Sequence, residues 1–166
     1  MVLRLHTFLF ADLVGFTRFT AEHGDERGAD LAVRFHRRMR LLAAELDCQV
    51  VKVIGDGVMV RAEDGRAALE LGRRIVADAQ REGFPPVRVG IDTGLAVERE
   101  GDWFGSTVNT AARVAAAAGA GELLLTERTR NAAGGVSALA LSEHGRRALK
   151  GVGEQLLFAH PALERG

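Results

Sequence analysis

The sequence predicts an α+β domain built on a mixed, mostly antiparallel sheet, and three observations carry that reading. Phe8 to Val14 is a short, almost wholly apolar run, as expected of a strand buried on both faces. Leu31, Phe35, Met39, Leu42 and Leu46 recur at helical spacing, with arginines between them on the other face. Two β-rich runs, Gln49 to Ile54 and Val58 to Arg61, flank Gly55-Asp56-Gly57 and read as a hairpin. In order the elements give βαββαβ, followed by a further helix and short strands.

Each element has a local reason to begin and end. Gly15 breaks the first strand. The helix after the hairpin places Ala68, Leu71, Ile75 and Ala79 on one face and stops before Pro85-Pro86, which cannot continue it. Val87 to Val97 reads as one strand with Val87, Val89 and Ile91 on a common face. Ser106 is placed to cap a helix that runs to about Ala118 and ends at Gly119 to Gly121. Leu123 to Leu125, Leu139 to Leu141 and Gln155 to Phe158 read as short late strands.

Composition narrows the class. The 166 residues suit one domain, taken as 1–166, and the 47% apolar content is enough for a sizeable core. With 22 basic and 22 acidic residues the formal net charge is zero, which argues against a general nucleic-acid binder. The single cysteine, Cys48, excludes an internal disulfide and fits a reducing compartment. No apolar run approaches the ~20 residues that span a bilayer, and the N-terminus lacks a signal-peptide pattern. A soluble cytoplasmic protein with no membrane segment is expected.

Three segments concentrate polar chemistry. Phe10-Ala-Asp-Leu-Val-Gly-Phe-Thr17 and Lys52-Val-Ile-Gly-Asp56-Gly57 both end an apolar stretch with a carboxylate near glycine. Aspartate in a turn is ordinary on its own. If the two strands are neighbours, however, Asp12 and Asp56 meet at one sheet edge and can hold hard divalent cations, which need few protein carboxylates. A pair of such ions can activate an attacking oxygen and stabilise a leaving one. In the third segment, Asp102-Trp-Phe-Gly-Ser-Thr-Val-Asn109-Thr-Ala-Ala-Arg113, Asn109 and Arg113 are four apart and share a helix face. Their amide and guanidinium donors match phosphoryl oxygens. The same helix is otherwise rich in alanine, which suits close packing. Lys52 lies four residues before Asp56, roughly 13 Å along an extended strand, too far for one compact phosphate site. Its valine neighbours leave it at least partly shielded and in need of an acceptor.

With these motifs the chain resembles the catalytic domain of class III nucleotidyl cyclases, from Phe8 to about Phe158. The resemblance implies a ferredoxin-like βαββαβ core with added C-terminal elements. It puts Asp12 and Asp56 on the two metal aspartates and Leu13 on the backbone metal ligand, with Mg²⁺ or Mn²⁺ as the two ions. Gly15, Phe16 and Thr17 fall on the phosphate-contacting turn, where amides at a helix start face an anion. Asn109 and Arg113 fall on the transition-state pair, and Lys150, in Ala-Leu-Lys-Gly-Val-Gly, on a late triphosphate lysine.

Lys52 and Asp102 match the adenine-selecting pair of the adenylate cyclases. Lysine donates to adenine N1 and the carboxylate accepts from the 6-amino group, whereas guanine inverts that pattern. In the family one subunit supplies the aspartates and the other supplies Lys, Asp, Asn and Arg, so the resemblance implies a homodimer with shared sites. The departure lies between Gly94 and Asp102, where many relatives carry a longer dimer-arm hairpin with a phosphate-binding arginine; Arg99 is the substitute on offer. The implied activity is conversion of ATP to cyclic AMP and pyrophosphate. The alternatives are a guanylate cyclase, which Lys52 and Asp102 oppose, and a non-catalytic nucleotide-binding regulatory module, opposed by the full set of active-type residues. A palm-type polymerase or diguanylate enzyme shares two-metal aspartates but fits the Asn109/Arg113 helix poorly.

Overall fold

A computed structural model describes residues 4–134 and 141–160. Its main sheet has seven strands in the order β2-β3-β1-β4-β7-β9-β8. They are β1 (His6–Leu13), β2 (Gln49–Ile54), β3 (Gly57–Ala62), β4 (Val87–Gly94), β7 (Leu123–Thr126), β8 (Ser142–Leu149) and β9 (Gly153–His160), while β5 (Val97–Arg99) and β6 (Asp102–Phe104) form a separate hairpin. Of the pairings in the main sheet only β4 with β7 is parallel. The first four strands lie in the ferredoxin-like order, as expected, with β1 and β4 central to the sheet.

The helices divide between the two faces. On one face α2 (Asp25–Glu45) and α3 (Gly65–Arg81) bury Leu31, Phe35, Met39, Leu71 and Ile75 against Leu9, Ala11 and Leu13 of β1. The next residues out of step, Phe8 and Phe10, enter a second cluster on the opposite face with Met59, Trp103, Val108, Ala111 and Ala115. That face is covered by α4 (Ser106–Ala117) and the β5–β6 hairpin. Alternate residues of β1 thus go into different cores, which is why its sequence shows no polar face. No helix among the described residues is long and apolar enough to cross a membrane.

Several boundaries differ from the sequence reading. A short helix, α1 (Phe16–His23), precedes α2, and the two are separated at Gly24, whose φ of 93° only glycine adopts freely. The expected strand Val87 to Val97 ends at Gly94, where a β-carbon would lie 2.4 Å from Thr107 Oγ1; the chain then leaves the sheet for β5. Ser106 is the first residue of α4 rather than its cap: Gly105 holds that position and no side chain caps the helix. A helix absent from the sequence reading, α5 (Glu127–Ala133), is capped by Thr126, whose hydroxyl accepts from the Thr129 amide. Of the expected strand Leu139 to Leu141, the first two residues lie outside the described ones, and Leu141 immediately precedes β8. The buried Asp92 accepts from Thr126 Oγ1 at 2.6 Å and pairs with Arg128, tying α5 to β4.

Candidate active site

The β1–β3 edge brings the two candidate carboxylates together. Asp56 occupies the turn between β2 and β3, and Gly57 begins β3 beside Asp12. A β-carbon on Gly57 would lie 2.4 Å from Asp12 Oδ1 and 3.0 Å from the Ala11 carbonyl, so only glycine lets the turn come this close. Burial pushes the Asp56 carboxyl above its usual range, and the Asp12 charge pushes the same way. The backbone amides of Asp56 and Leu13 and the Arg88 guanidinium oppose that shift. Arg88, opposite Asp12 in the β1–β4 register, donates from Nε to Asp12 Oδ2 at 3.2 Å. Two carboxylates that repel each other and recruit a guanidinium form a site with hard oxygen donors and surplus negative charge, which fits divalent cations of the Mg²⁺ and Mn²⁺ type. Among the described residues no cluster of three or more His, Cys, Asp or Glu side chains is built to hold a metal. A pair of carboxylates with a backbone carbonyl is a smaller donor set, as such cations accept.

The turn that follows completes this end. Gly15 is left-handed, with φ 77°, and places Phe16 and Thr17 at the start of α1 with no side-chain cap over their amides. Phe16 packs partly on the core and Thr17 is exposed. On the other side α2 sets His36 against the Gly55 carbonyl; burial lowers the pKa of His36, and its Nε2 is buried without a hydrogen-bond partner.

Asn109 and Arg113 are elsewhere. At Gly90 a β-carbon would sit 2.0 Å from the Ala115 amide nitrogen, so α4 rests directly on the β4 backbone. Contacts of Gly90 with Ala115 and of Gly94 with Thr107 run α4 antiparallel to β4. Asn109 therefore lies near the Gly94 end, roughly 16 Å of strand away from Asp12. The small face, Ala111 and Ala115, is buried; Asn109 and Arg113 are exposed and point away from the sheet. They line an open groove of about 420 Å³ with Ala112, Ala116 and the β8–β9 turn, Lys150 to Val152. The carboxylate pair and the Asn/Arg/Lys group are not brought together within one chain.

Lys52 and Asp102 do meet. Lys52 Nζ donates to Asp102 Oδ2 at 2.7 Å, and the Trp103 amide donates to Asp102 Oδ1 at 2.8 Å. The lysine contact holds the Asp102 carboxyl below its usual range. The expected shielding of Lys52 is not found: its side chain is 44% exposed, because β2 is an edge strand whose outer side no other strand covers. Asp102 starts β6. The shortened segment before it folds as a hairpin of its own, turning at Glu100 and Gly101 with φ of 52° and 79°. Arg99 there donates to the neighbouring Glu98 carbonyl.

Sequence reasoning missed Arg88 and Trp103. The first had a visible signal, a charged residue in the middle of the otherwise apolar run from Val87 to Ile91. For Trp103 no signal distinguished a surface aromatic from a buried one.

The adenylate and guanylate cyclase catalytic domain family matches residues 5–160. An adenylate cyclase of Streptomyces griseus is 41% identical over 115 residues, covering 69% of this chain and 29% of the relative. A pH-sensitive adenylate cyclase of Mycobacterium tuberculosis is 39% identical over 127 residues, covering 76% of this chain and 32% of the relative. The chain thus spans about a third of the length of these curated relatives. Among solved structures, the adenylyl cyclase CyaB from P. aeruginosa superposes with a TM-score of 0.78 at 23% identity, covering 99% of this chain and 97% of that one. The fold, the match across nearly every described residue and the relatives agree: this chain belongs to the adenylate and guanylate cyclase catalytic domain family, the class III nucleotidyl cyclases.

Proposed function

We propose that the chain, as a single catalytic domain over 1–166, is an adenylate cyclase that converts ATP to cyclic AMP and pyrophosphate in the cytoplasm. The observation that supports the choice of base is the 2.7 Å contact between Lys52 and Asp102, which sets one donor beside one acceptor and matches adenine when the lysine faces N1 and the carboxylate the 6-amino group. Asp12 and Asp56, with the Leu13 carbonyl, would hold two divalent ions, Mg²⁺ or Mn²⁺. Once bound, these supply positive charge that acidifies the ribose 3′-hydroxyl and neutralises the phosphates. The 3′-oxygen gives its proton to solvent water and bonds to the α-phosphorus, while the bond from that phosphorus to the bridging oxygen breaks and the electron pair leaves with pyrophosphate.

The protein groups bind and orient. The uncapped amides of Phe16 and Thr17, beyond Gly15, face the phosphates from the start of α1. Arg88, displaced from Asp12 when cations take that carboxylate, is free to turn to the polyphosphate. Asn109 and Arg113 donate to the oxygens on which charge builds, each worth about 2.7–4 kcal/mol when well placed. Lys150, in the same groove, neutralises the leaving pyrophosphate. Asn109 and Arg113 are exposed and point away from the sheet that carries Asp12, which supports a site completed by a second copy. We infer a homodimer with two sites related by its two-fold axis.

The test is incubation of the purified chain with Mn²⁺ and either ATP or GTP. Cyclic AMP with pyrophosphate is expected. Preferential cyclic GMP would reassign the chain as a guanylate cyclase, and folded protein that binds nucleotide without turnover would leave a regulatory binding module.

A further inference from the structure

Granted that Lys52 and Asp102 read the base, they sit on parts of the fold that no backbone ladder joins. Lys52 is on β2, in the seven-stranded sheet; Asp102 is on β6, which pairs only with β5. What fixes one against the other is the side chain between Asp102 and Phe104. Phe104 is 53% exposed, whereas the alternate residue, Trp103, turns inward and is 9% exposed. Its ring lies 4.4 Å from the His6 ring and 5.7 Å from Phe8, with the Arg61 guanidinium 5.0 Å from its centroid. His6 and Phe8 belong to β1 and Arg61 to β3, so the tryptophan pins the hairpin onto the main sheet. The same residue also orients the carboxylate. Its amide takes Asp102 Oδ1, leaving Oδ2 for Lys52. The pin carries a cost, since Trp103 Nε1 is buried without a hydrogen-bond partner, and a ring held this way is kept for where it puts its neighbours.

We propose that Trp103 is the positioning residue for base selection: its contacts are with His6, Phe8, Arg61 and Asp102 rather than with the candidate metal or phosphate groups, and it sets the ATP-over-GTP preference by holding Asp102 against Lys52. Trp103→Ala frees the hairpin, so ATP loses its matched acceptor while GTP loses nothing. The ATP-over-GTP ratio of kcat/KM should fall about tenfold, through KM for ATP more than through kcat at saturating Mn²⁺, since a misplaced acceptor weakens base binding rather than phosphoryl transfer. Trp103→Phe keeps a buried ring and should restore most of the preference. A merely structural role would lower turnover of both nucleotides together and leave the ratio alone.

An independent readout exists because Trp103 is the only tryptophan. In the wild-type chain its fluorescence should respond to an ATP analogue that cannot cyclise, and respond less to the matching GTP analogue. If circular dichroism shows Trp103→Ala unfolded, His6→Ala decides instead, since it removes the ring packed at a tilt against Trp103 and should move the ratio the same way by about threefold. A wild-type chain with no preference between the nucleotides overturns the reading of Lys52 and Asp102, and this inference with it. A wild-type chain that prefers ATP, with the preference intact in folded Trp103→Ala and in His6→Ala, overturns the inference alone.

Discussion

Gly90→Ala tests whether the seat of α4 on the sheet governs chemistry. The added methyl would stand 2.0 Å from the Ala115 nitrogen, 2.5 Å from its Cα and 2.7 Å from the Val114 carbonyl carbon, all backbone atoms that cannot rotate away. Ordinary contact begins at 3.4 Å, so the helix must retreat by about 1.4 Å or tilt by as much. Asn109 and Arg113 move with it, and a displacement near 1 Å can cost on the order of 10²-fold in rate. Overpacking of this kind costs about 1–3 kcal/mol, or about 2–12 °C of melting temperature for a domain of this size. Activity should therefore be measured at a temperature where circular dichroism shows the variant folded. Gly72→Ala is the control. Its methyl meets the tip of a flexible side chain, Leu123 Cδ1 at 2.3 Å, on the face of the sheet away from α4. It should lower the melting temperature yet keep activity near wild type. If folded Gly90→Ala retains more than about a third of wild-type kcat/KM, the seat of α4 on β4 does not hold the Asn/Arg pair in the site, and the transition-state role assigned to Asn109 and Arg113 is wrong.

Other outcomes follow from the same geometry. Asp12→Ala and Asn109→Ala chains, each inactive alone, should regain roughly a quarter of wild-type activity when mixed, because random exchange makes half the dimers mixed, each with one intact site. A mixture that stays inactive despite exchange shown by a tagged copy would refute the shared site. Asp56→Asn should melt above wild type at neutral pH without divalent metal. A carboxyl whose folded pKa is raised loses stability for the fold as pH rises through that pKa, so the gain should disappear in acid below the usual carboxylate range. Added Mn²⁺ should raise the wild-type melting temperature and leave Asp56→Asn unchanged; an equal rise in both would remove Asp56 from the metal site. Arg88→Met removes a half-exposed ion pair worth no more than about 1 kcal/mol, so the melting curve should barely move while KM for ATP rises; an unchanged KM would confine Arg88 to Asp12.

The sequence made the core order legible because periodicity survives where a face is buried. Leu31, Phe35 and Met39 announced α2, and the Gly-Asp-Gly turn announced the β2–β3 hairpin. Boundaries set by close approach were hidden. Nothing local says that β4 must end at Gly94; the cause is Thr107, thirteen residues later in the chain and packed on its α-carbon. Likewise α5 is short, and its cap at Thr126 resembles any threonine in a strand until the Thr129 amide is seen to need an acceptor. The candidate site divides in the same way. Residues whose type states their chemistry, Asp12, Asp56, Asn109 and Arg113, could be picked from motifs. Arg88 belongs to no motif: its charge in an apolar run marks it as unusual, but its place opposite Asp12 is a fact of β1–β4 register.

That register also sets how charge at the proposed cation site is balanced within one chain. Asp12 and Asp56 lie close enough to repel, and burial adds to the strain on Asp56. The Arg88 guanidinium at 3.2 Å from Asp12 offsets part of this charge without filling a coordination sphere. It can do so only loosely: the two side chains are 37% and 31% exposed, so water competes for both partners and the pair is cheap to open. A tight, buried partner would compete strongly with a cation for Asp12. A weak one leaves Asp12 open to exchange, and on the proposed function its release would bring a positive group to the end of the sheet where the uncapped amides of Phe16 and Thr17 begin α1.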